Sequence, residues 1–374
     1  MHTPATARNW GTHPWSIDFR PEAAPFPREV DFAVIGAGFT GLAAAAWLRM
    51  LAPEKSVAVL EASQIGAGAS GRTGGIVLPE TAAGDVPGLG DVLAGFKEIL
   101  AALEVECDVS LPGAWEIGRS GGPKDSRIDW SDSGRLRVVN ELPGGTLDPG
   151  KLVSGLARAA QRRGAAIFEN RPVESVEWKD APVVRTAQGD LAARKILFAM
   201  NGLSLELSGL TEAEPRLTLA VASEQLSGDQ LEAIGLAERK PFYTIDFPYL
   251  WGRVSRGNSV VWGAGLVAAP ESRDLDRINV ASGDASRLLA SLEARVRKLH
   301  PALEKTRFTH RWGGPILFRE SWVPVFDRHS KSANGIVLGA YAGHGVALSS
   351  YLGKWAAEAL LGRRGLPPWG KSGG

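Results

Sequence analysis

Hydrophobic and polar positions change period several times along the chain, and the first clear pattern begins near residue 29. Residues 30–36 form the apolar run of a buried strand, residues 40–52 have the alanine-rich composition of a helix, and residues 56–62 form a second apolar run that includes an acid. This order predicts a βαβ unit. Residues 1–28 contain five prolines and no sustained period, which predicts an irregular leader.

The later part of the chain has a different pattern. Asp148 and Pro149 have the character of the N-cap and first residue of a helix that ends near Gly164, and short apolar strands follow. Residues 212–330 consist of strand-like runs with several aromatic residues, interrupted by one helical stretch over about 285–300. The whole pattern predicts an α/β (α+β two-domain) fold, with a βαβ domain and a mostly antiparallel sheet domain.

Charge and cysteine content narrow the possible functions. The 374 residues carry 42 Lys and Arg against 41 Asp and Glu, with no block of like charge, so neither a nucleic-acid partner nor a polybasic membrane anchor is expected. A single cysteine, Cys107, cannot form an internal disulfide or a paired-thiol redox centre. The N-terminus lacks a secretory pattern, and the most apolar window, about residues 32–52, contains three glycines and Arg49. We therefore expect small-molecule partners, a cytoplasmic location and no membrane span.

A glycine motif connects the first predicted strand to the first predicted helix. Gly36, Gly38 and Gly41 have the spacing G-x-G-x-x-G, which alone also suits any sharp strand-to-helix turn. Glu61, twenty residues after Gly41, falls at the end of the next strand, where an acid can bind ribose hydroxyls. In this context the motif predicts a dinucleotide whose pyrophosphate lies at the helix N-terminus. Because only one such fingerprint is present, we expect electrons to come directly from an organic substrate.

Several separated blocks resemble one known family. They are the glycine turn with "VAVLEAS", the loop "GAGASGRTGG", the strand "ILFAMNG" and the C-terminal motif "GIVLGAYAGHGVALSS". Together these blocks resemble the FAD-dependent oxidoreductases of the D-amino-acid oxidase type, including glycine, sarcosine and gamma-glutamylputrescine oxidases, over about residues 30–362. The resemblance implies FAD as the cofactor, a Rossmann-like FAD-binding domain and an antiparallel substrate domain.

The resemblance also implies which segments and residues bind FAD. It assigns residues 29–80, 145–202 and 331–362 to the FAD-binding domain, residues 81–144 and 203–330 to the substrate domain, and residues 363–374 to a tail. The residues that it implies for FAD binding are Gly36, Gly38, Phe39, Thr40, Gly41, Glu61, Ala62, Ser70, Arg72, Thr73, Gly74, Gly75, Val173, Ala199, Asn201, Gly202, Gly343, His344, Gly345 and Val346. Thr73 stands where many relatives have Asn. A covalent flavin link through Cys107, which we expect in a helix, is not predicted.

Two residues of the flavin blocks are candidates for catalysis. His344 lies between two glycines at a predicted strand-to-helix junction, and its near-neutral pKa permits either cofactor contact or proton transfer. The alternative is that it only bonds neighbouring backbone in a glycine turn. Arg72 is expected close to the flavin ring, with bracing of its own loop as the alternative.

The substrate wall offers further candidates. Sarcosine-binding relatives carry a lysine where this sequence has Ala347, which disfavours a simple N-methyl amino acid as substrate. Arg253 is then the first candidate to hold a substrate carboxylate, because arginine binds carboxylates at two points; an arginine paired on a sheet surface is the alternative. Tyr249 is a candidate catalytic residue of the same pocket. Further lining candidates, which could equally be core residues, are Tyr243, Asp246 and Trp251.

The function predicted from these features is oxidation of the C–N bond of an amine or amino acid by hydride transfer to FAD, followed by hydrolysis of the imine. Molecular oxygen or another acceptor would take the electrons. The alternatives left open are a dehydrogenase with a non-oxygen acceptor and a flavin-binding subunit without turnover. No metal site is predicted, because the remaining histidines lack metal-ligand spacing.

Overall fold

The structure is a computed structural model, and it describes residues 8–370. Its strands are β1 (Gly11–Thr12), β2 (Glu29–Ile35), β3 (Val57–Leu60), β4 (Ile76–Val77), β5 (Ala114–Gly118), β6 (Asp129–Ser131), β7 (Arg135–Leu142), β8 (Gly145–Thr146), β9 (Ala166–Phe168), β10 (Val173–Glu177), β11 (Val183–Thr186), β12 (Gly189–Phe198), β13 (Ala213–Gln225), β14 (Phe242–Thr244), β15 (Trp251–Val254), β16 (Ser259–Ala268), β17 (Phe308–Arg319), β18 (Val325–His329) and β19 (Ser332–Gly339). Its helices are α1 (Phe39–Leu51), α2 (Val92–Leu103), α3 (Pro149–Arg162), α4 (Leu205–Ser208), α5 (Gly228–Ala233), α6 (Gly283–Leu299) and α7 (Gly345–Leu360), with two short 3₁₀ turns, Ser272–Arg277 and Pro301–Leu303.

The first sheet contains the predicted βαβ unit. Its order is β10-β11-β12-β2-β3-β9, and β19 pairs with both β12 and β18. Strands β9, β3, β2, β12 and β19 run parallel to one another, whereas β11 and β18 pair antiparallel with β12 and β19. Helix α1 connects β2 to β3, as the glycine turn and the alanine-rich pattern predicted, and its residues Leu42 to Leu48 are buried. The parallel order brings the carboxyl ends of these strands to one edge, where α/β proteins bind ligands.

Helices α1, α2, α3 and α7 share one apolar core against this sheet. Asp148 is the N-cap of α3 and accepts from the Lys151 amide at 2.9 Å, which agrees with the predicted helix start. Helix α2 differs from the predicted division, since residues 81–144 were assigned to the other domain. Its side chains Phe96, Ile99 and Leu103 are fully buried in this core, because apolar positions spaced by three and four residues form one face.

The second sheet has nine strands in the order β1-β17-β13-β16-β15-β14-β5-β7-β6 within residues 8–370. All neighbours are antiparallel except β14 and β5. Helix α6 packs on this sheet through Leu289, Leu292 and Val296. Together with the first sheet this confirms the predicted α/β fold with a mostly antiparallel second part.

Two sequence-based expectations about local structure differ from the structure. The leader is not irregular throughout, since Gly11 and Thr12 form an edge strand on β17 and Trp10 is fully buried, with its indole N–H donating to the Leu275 carbonyl at 2.9 Å. Cys107 does not lie in a helix: α2 ends at Leu103, Glu104 adopts a left-handed conformation, and Cys107 follows in an irregular buried segment. Residues 1–7 of the leader and 371–374 of the tail lie outside the described residues.

Across residues 8–370, none of the helices combines the length and the apolar composition needed to cross a membrane. The same part of the chain contains no group of three or more His, Cys, Asp or Glu side chains arranged to hold a metal ion.

Candidate active site

One large cavity is lined by residues of both sheets. Its volume is about 1620 Å³, larger than a typical small-molecule pocket and large enough for a dinucleotide together with a small substrate. The early glycine turn and the late histidine turn both form its wall. The predicted site residues in the wall are Gly36, Gly38, Phe39, Thr40, Glu61, Ala62, Ser70, Arg72, Thr73, Gly74, Val173, Ala199, Asn201, Gly202, Tyr249, Gly343, His344, Gly345 and Val346.

The backbone geometry of the glycine turn leaves no room for side chains at Gly36 and Gly41. Gly36 has a φ of +103°, and a Cβ there would lie 2.7 Å from the Ala199 carbonyl oxygen. A Cβ on Gly41 would lie 2.0 Å from the Gly36 carbonyl oxygen, which real side chains do not tolerate. Gly41 therefore supports the turn from behind and is not part of the cavity wall. The same holds for Gly75, whose φ is +74° and whose Cβ would meet the Leu147 carbonyl.

Glu61 and Ser70 fix the backbone around the N-terminus of α1. Glu61 accepts from the amides of Ala37 at 3.0 Å and Ser63 at 2.9 Å, and burial raises the pKa of its carboxyl above the usual range. The Ser70 hydroxyl accepts from the Phe39 amide at 2.9 Å. The cavity wall at this point thus combines a helix N-terminus, a hydroxyl and a carboxylate, the groups that suit a pyrophosphate and a ribose.

Arg72 braces its own loop. Its guanidinium Nη1 donates to the carbonyls of Trp10 at 3.3 Å, Gly11 at 3.1 Å and Gly313 at 3.3 Å. Burial lowers the pKa of Arg72 to about 10. The Trp312 indole donates to the Arg72 carbonyl at 2.9 Å. Arg72 therefore connects the leader, the loop and β17, although part of it also reaches the cavity wall.

Three cavity-lining residues have a buried polar atom without a hydrogen-bond partner within residues 8–370. Nε of Arg171 is the first of these atoms, and the other two lie near the N-terminus of α7. One is Nδ1 of His344, the residue before α7, whose pKa is lowered by burial so that the ring is neutral at pH 7. The other is the hydroxyl of Ser349 on α7, which is only 4% exposed. Buried polar groups are rarely left without a partner. These two atoms face the cavity and therefore fit a bound polar group such as a flavin.

A hydrogen bond joins the glycine and histidine turns. The Thr40 hydroxyl at the start of α1 and the Tyr341 hydroxyl before α7 are 2.7 Å apart. Asn201 joins the ends of β12 and β19 in a similar way, because its side-chain oxygen accepts from the Ala340 amide at 2.9 Å. The segments predicted to meet the cofactor are thus held together by direct bonds.

The second sheet supplies the opposite wall. Trp251 packs its ring so closely over Gly74 that a Cβ there would lie 2.3 Å from it. The Tyr243 hydroxyl donates to Glu116 at 2.9 Å. Tyr243, Asp246, Tyr249 and Trp251, all suggested from the sequence, lie in this wall. Of these four residues, Trp251 contacts the loop at residues 66–75 directly, through Gly74.

Arg253 does not lie in the cavity wall, so the expectation that it clamps a substrate carboxylate there is wrong. It is 5% exposed, and its guanidinium lies 4.7 Å from the ring centre of Trp15. Strand alternation puts Arg253 on the same face as Trp251. The leader crosses that face, and Trp15 covers the arginine. Burial lowers its pKa to about 10.

Several wall residues were not found from the sequence. Arg8 of the leader lines the cavity and bonds Asp276 at 2.6 Å. Glu80 and Glu116 also line it. Arg295 lies nearby and donates to the carbonyls of Pro248 and Tyr249, both at 2.8 Å. No sequence pattern points to Arg8 as a wall residue. Glu80 could have been predicted, because it is an acid at the end of "IVLPE", which directly follows the glycine-rich loop.

A parallel βαβ unit with a glycine turn, facing an antiparallel sheet across one cavity, defines a two-domain dinucleotide-binding protein. The chain belongs to the DAO family of FAD dependent oxidoreductases, whose family model matches residues 31–359. The protein is therefore an enzyme, an FAD-dependent oxidoreductase, and its cofactor is FAD. This confirms the family and the cofactor predicted from the sequence.

Curated relatives and solved structures match most of the chain. Gamma-glutamylputrescine oxidoreductase of Escherichia coli (strain K12) is 27% identical over 376 residues, covering 89% of this chain and 84% of that protein. Probable oxidoreductase OrdL of Rhizobium meliloti (strain 1021) is 27% identical over 396 residues, with 92% and 87% coverage. The crystal structure of glycine oxidase from Geobacillus kaustophilus has a TM-score of 0.71 at 18% identity, covering 90% of this chain and 96% of that chain. This last likeness supports the fold.

Proposed function

We propose that the enzyme oxidises the C–N bond of an amine or amino acid, giving an imine that water hydrolyses. The observation that carries this proposal is the single cavity that unites the glycine turn, the histidine turn and the aromatic wall of the second sheet. The relative named for gamma-glutamylputrescine supports an amine as the oxidised group. Bound FAD supplies the hydride acceptor, and the protein supplies position and electrostatics.

The residues around the N-terminus of α1 hold the adenosine and pyrophosphate part of FAD in this proposal. Gly36 and Gly38 allow the backbone to approach the phosphates, and Ser70 fixes the first turn of α1. Glu61, anchored by two amides, accepts from ribose hydroxyls. Val173 and Ala62 line the adenine side.

The residues around the N-terminus of α7 hold the flavin ring. The N–H groups at the start of this sixteen-residue helix stabilise negative charge near the ring. His344 contacts the cofactor as a neutral imidazole, which gives its unpaired Nδ1 a partner. Arg72 acts as a positioning residue, since its guanidinium is used by backbone carbonyls.

The substrate lies against Tyr243, Tyr249 and Trp251, with its reacting carbon facing the flavin. Loss of hydride from that carbon requires a neutral amine, because the nitrogen lone pair must form the C=N bond as the hydride leaves. The amine proton therefore leaves before the redox step, to solvent or to a wall residue. No side-chain base is obligatory in this scheme, and orientation within the cavity provides the larger part of catalysis.

Anaerobic reduction of the purified holoenzyme tests the proposal. A panel of primary amines, secondary amines, D-amino acids, L-amino acids and polyamines is added without oxygen, and bleaching of the yellow flavin is followed. At least one compound should bleach it, and an aldehyde or ketone should appear after reoxidation, with ammonia from a primary amine or a primary amine from a secondary amine. A holoenzyme that is bleached by dithionite but by no member of the panel would refute the proposal and favour a flavin-binding subunit without turnover.

The electron acceptor is tested in the same preparation. Peroxide formation when air is admitted to the reduced enzyme supports molecular oxygen as acceptor. Slow reoxidation by air together with fast reoxidation by an added quinone supports a dehydrogenase.

A further inference from the structure

We propose that the substrate is a diamine or polyamine, and that Glu80 and Glu116 bind its second, non-reacting ammonium group. This inference rests on the proposed function and names the substrate class of the same cavity. Both carboxylates belong to the cavity wall. Both carboxylates interact with the Tyr243 hydroxyl, which donates to Glu116 at 2.9 Å and also bonds the Glu80 carboxylate.

The strand pairing fixes this arrangement. Tyr243 on β14 and Glu116 on β5 are directly opposite each other in the parallel ladder, so their side chains leave the sheet on the same face. The second oxygen of Glu116 accepts from the Asn140 side-chain amide at 2.8 Å, which holds the carboxylate in place without neutralising it. Glu80 follows β4 at the end of the loop that carries Arg72.

The negative charge of this wall has no basic partner among the described residues. Neither Glu80 nor Glu116 forms an ion pair within residues 8–370. Arg295, a basic residue of the same cavity wall, already bonds both oxygens of Asp132, and Asp246 is paired with Arg119. Burial raises the pKa of the Glu80 carboxyl, and the charge of Glu116 raises it further. A ligand cation would relieve both effects.

Two further features of the cavity wall indicate that it binds a ligand with an apolar part. The unpaired, buried Ser349 hydroxyl shows that the cavity is shaped for a bound group. All exposed large apolar side chains of residues 8–370 except Val109 line the same cavity, and they are Ile245, Phe247, Tyr249, Leu266, Leu288 and Trp322. Such a concentration of apolar surface marks a binding site and suits the methylene chain between two amines.

The negative charge of Glu80 and Glu116 also determines which end of the substrate lies beside them. Carboxylates stabilise an ammonium group, whereas the reacting amine must be neutral. Glu80 and Glu116 therefore suit the amine that does not react. A substrate with a carboxylate in this position would meet like charge, so ω-amino acids are disfavoured.

Three compounds of equal chain length test the inference: putrescine, butylamine and gamma-aminobutyrate, which end in ammonium, methyl and carboxylate. KM and kcat are measured from steady-state turnover of the holoenzyme with the acceptor, air or an added quinone, that reoxidises the reduced flavin. We expect kcat/KM to fall in the order in which the compounds are named, mainly through KM. In Glu80→Gln and Glu116→Gln the advantage of putrescine over butylamine should shrink about ten- to hundredfold, the loss of a hydrogen bond to a charged group.

Glu141→Gln is the matched control. Glu141 lies on the neighbouring strand β7, pairs with Lys240 and is not in the cavity wall, so the putrescine advantage should persist. Flavin content of each variant shows whether it is folded and loaded. Equal KM for putrescine and butylamine, or an unchanged ratio in both cavity variants, would overturn the inference while leaving the proposed function intact.

Failure of the proposed function gives a different result. If no amine reduces the flavin, binding of putrescine is measured by its perturbation of the flavin absorption spectrum. Tighter binding of putrescine than of butylamine to the parent protein, lost in Glu80→Gln, would still support the ammonium subsite. Equal or undetectable binding of the two amines would refute it.

Discussion

Replacement of Asp132 by alanine should destabilise the protein strongly. The Asp132 side chain, 7% exposed, accepts from two arginines: Oδ2 lies 2.5 Å from Arg119 Nη2 and 2.6 Å from Arg295 Nη2, and Oδ1 lies 3.0 Å from Arg295 Nε. These arginines in turn bond the carbonyls of Pro248 and Tyr249. One carboxylate therefore holds the segment that forms part of the substrate wall.

The loss of unfolding free energy in Asp132→Ala depends on which partners the two arginines keep. Asp132→Ala leaves two guanidinium groups that are only 12% and 18% exposed without their shared counter-charge. Removing one partner of a buried ion pair costs about 3–5 kcal/mol. Arg119 keeps Asp246 and both arginines keep carbonyl partners, so we expect the lower end, about 3 kcal/mol.

Urea unfolding of FAD-saturated protein measures this loss as a lower midpoint at unchanged slope. Asp129→Ala is the control, because Asp129 lies three residues earlier, at the start of β6, and pairs with the exposed Arg135 and the half-buried Arg137. Solvent and salt screen such exposed pairs, so the control should shift the midpoint far less. If Asp132→Ala is no more destabilising than Asp129→Ala, the assignment of a structural charge network to the substrate wall is refuted.

Three further predictions concern the cofactor and the thiol. Gly41→Ala should weaken FAD binding about tenfold or more, since its Cβ would lie 2.0 Å from the Gly36 carbonyl oxygen; flavin fluorescence titration checks this against Gly228→Ala, where a Cβ meets nothing within 4 Å. Arg8→Ala should weaken FAD binding at low salt and should weaken it less at high salt, because salt screens a charge contact. Arg307 lies outside the cavity wall, so Arg307→Ala should leave FAD binding unchanged at either salt concentration. Equal salt dependence in the two variants would contradict a charge contact between Arg8 and FAD. Burial, and then the charges of Asp108 and Asp148, raise the pKa of the Cys107 thiol to about 12. At pH 8 only about one thiol in ten thousand is then ionised, so Cys107 should resist a thiol reagent until the protein is unfolded. Rapid labelling of the native protein would contradict this prediction.

Features fixed by neighbours in sequence were predictable. The strand, glycine turn and helix over residues 29–51 follow from local composition. The steric reason for Gly41 lies within the same turn, as does the positive φ of Gly36, although a Cβ on Gly36 would also meet the distant Ala199 carbonyl. Glu61 was predictable because a βαβ unit has a nearly fixed length, so an acid at the end of the next strand must face the glycine turn. The N-cap of α3 is likewise a local feature.

Features that depend on distant segments were not predictable from the same patterns. Arg253 has the chemistry of a carboxylate clamp, but Trp15 of the leader covers it across a sequence separation that no local period records. Glu116 becomes a wall residue only because β5 pairs in parallel with β14, which follows it by more than a hundred residues. Helix α2 shows an apolar face in its sequence, yet that face does not indicate which of the two sheets it covers.

The leader shows how such distant contacts bear on the cofactor site. Arg72 in the flavin loop uses its guanidinium to bind the carbonyls of Trp10 and Gly11, and Gly11 in turn pairs with Trp312 on β17. The Trp312 indole N–H donates in turn to the Arg72 carbonyl, so the leader, the loop and β17 are joined by hydrogen bonds. A loop rich in glycine has little intrinsic preference for one path, because its backbone entropy is large. The path of this loop along the cavity is therefore set by hydrogen bonds from the leader and the second sheet. This explains why the Arg72 guanidinium binds backbone carbonyls.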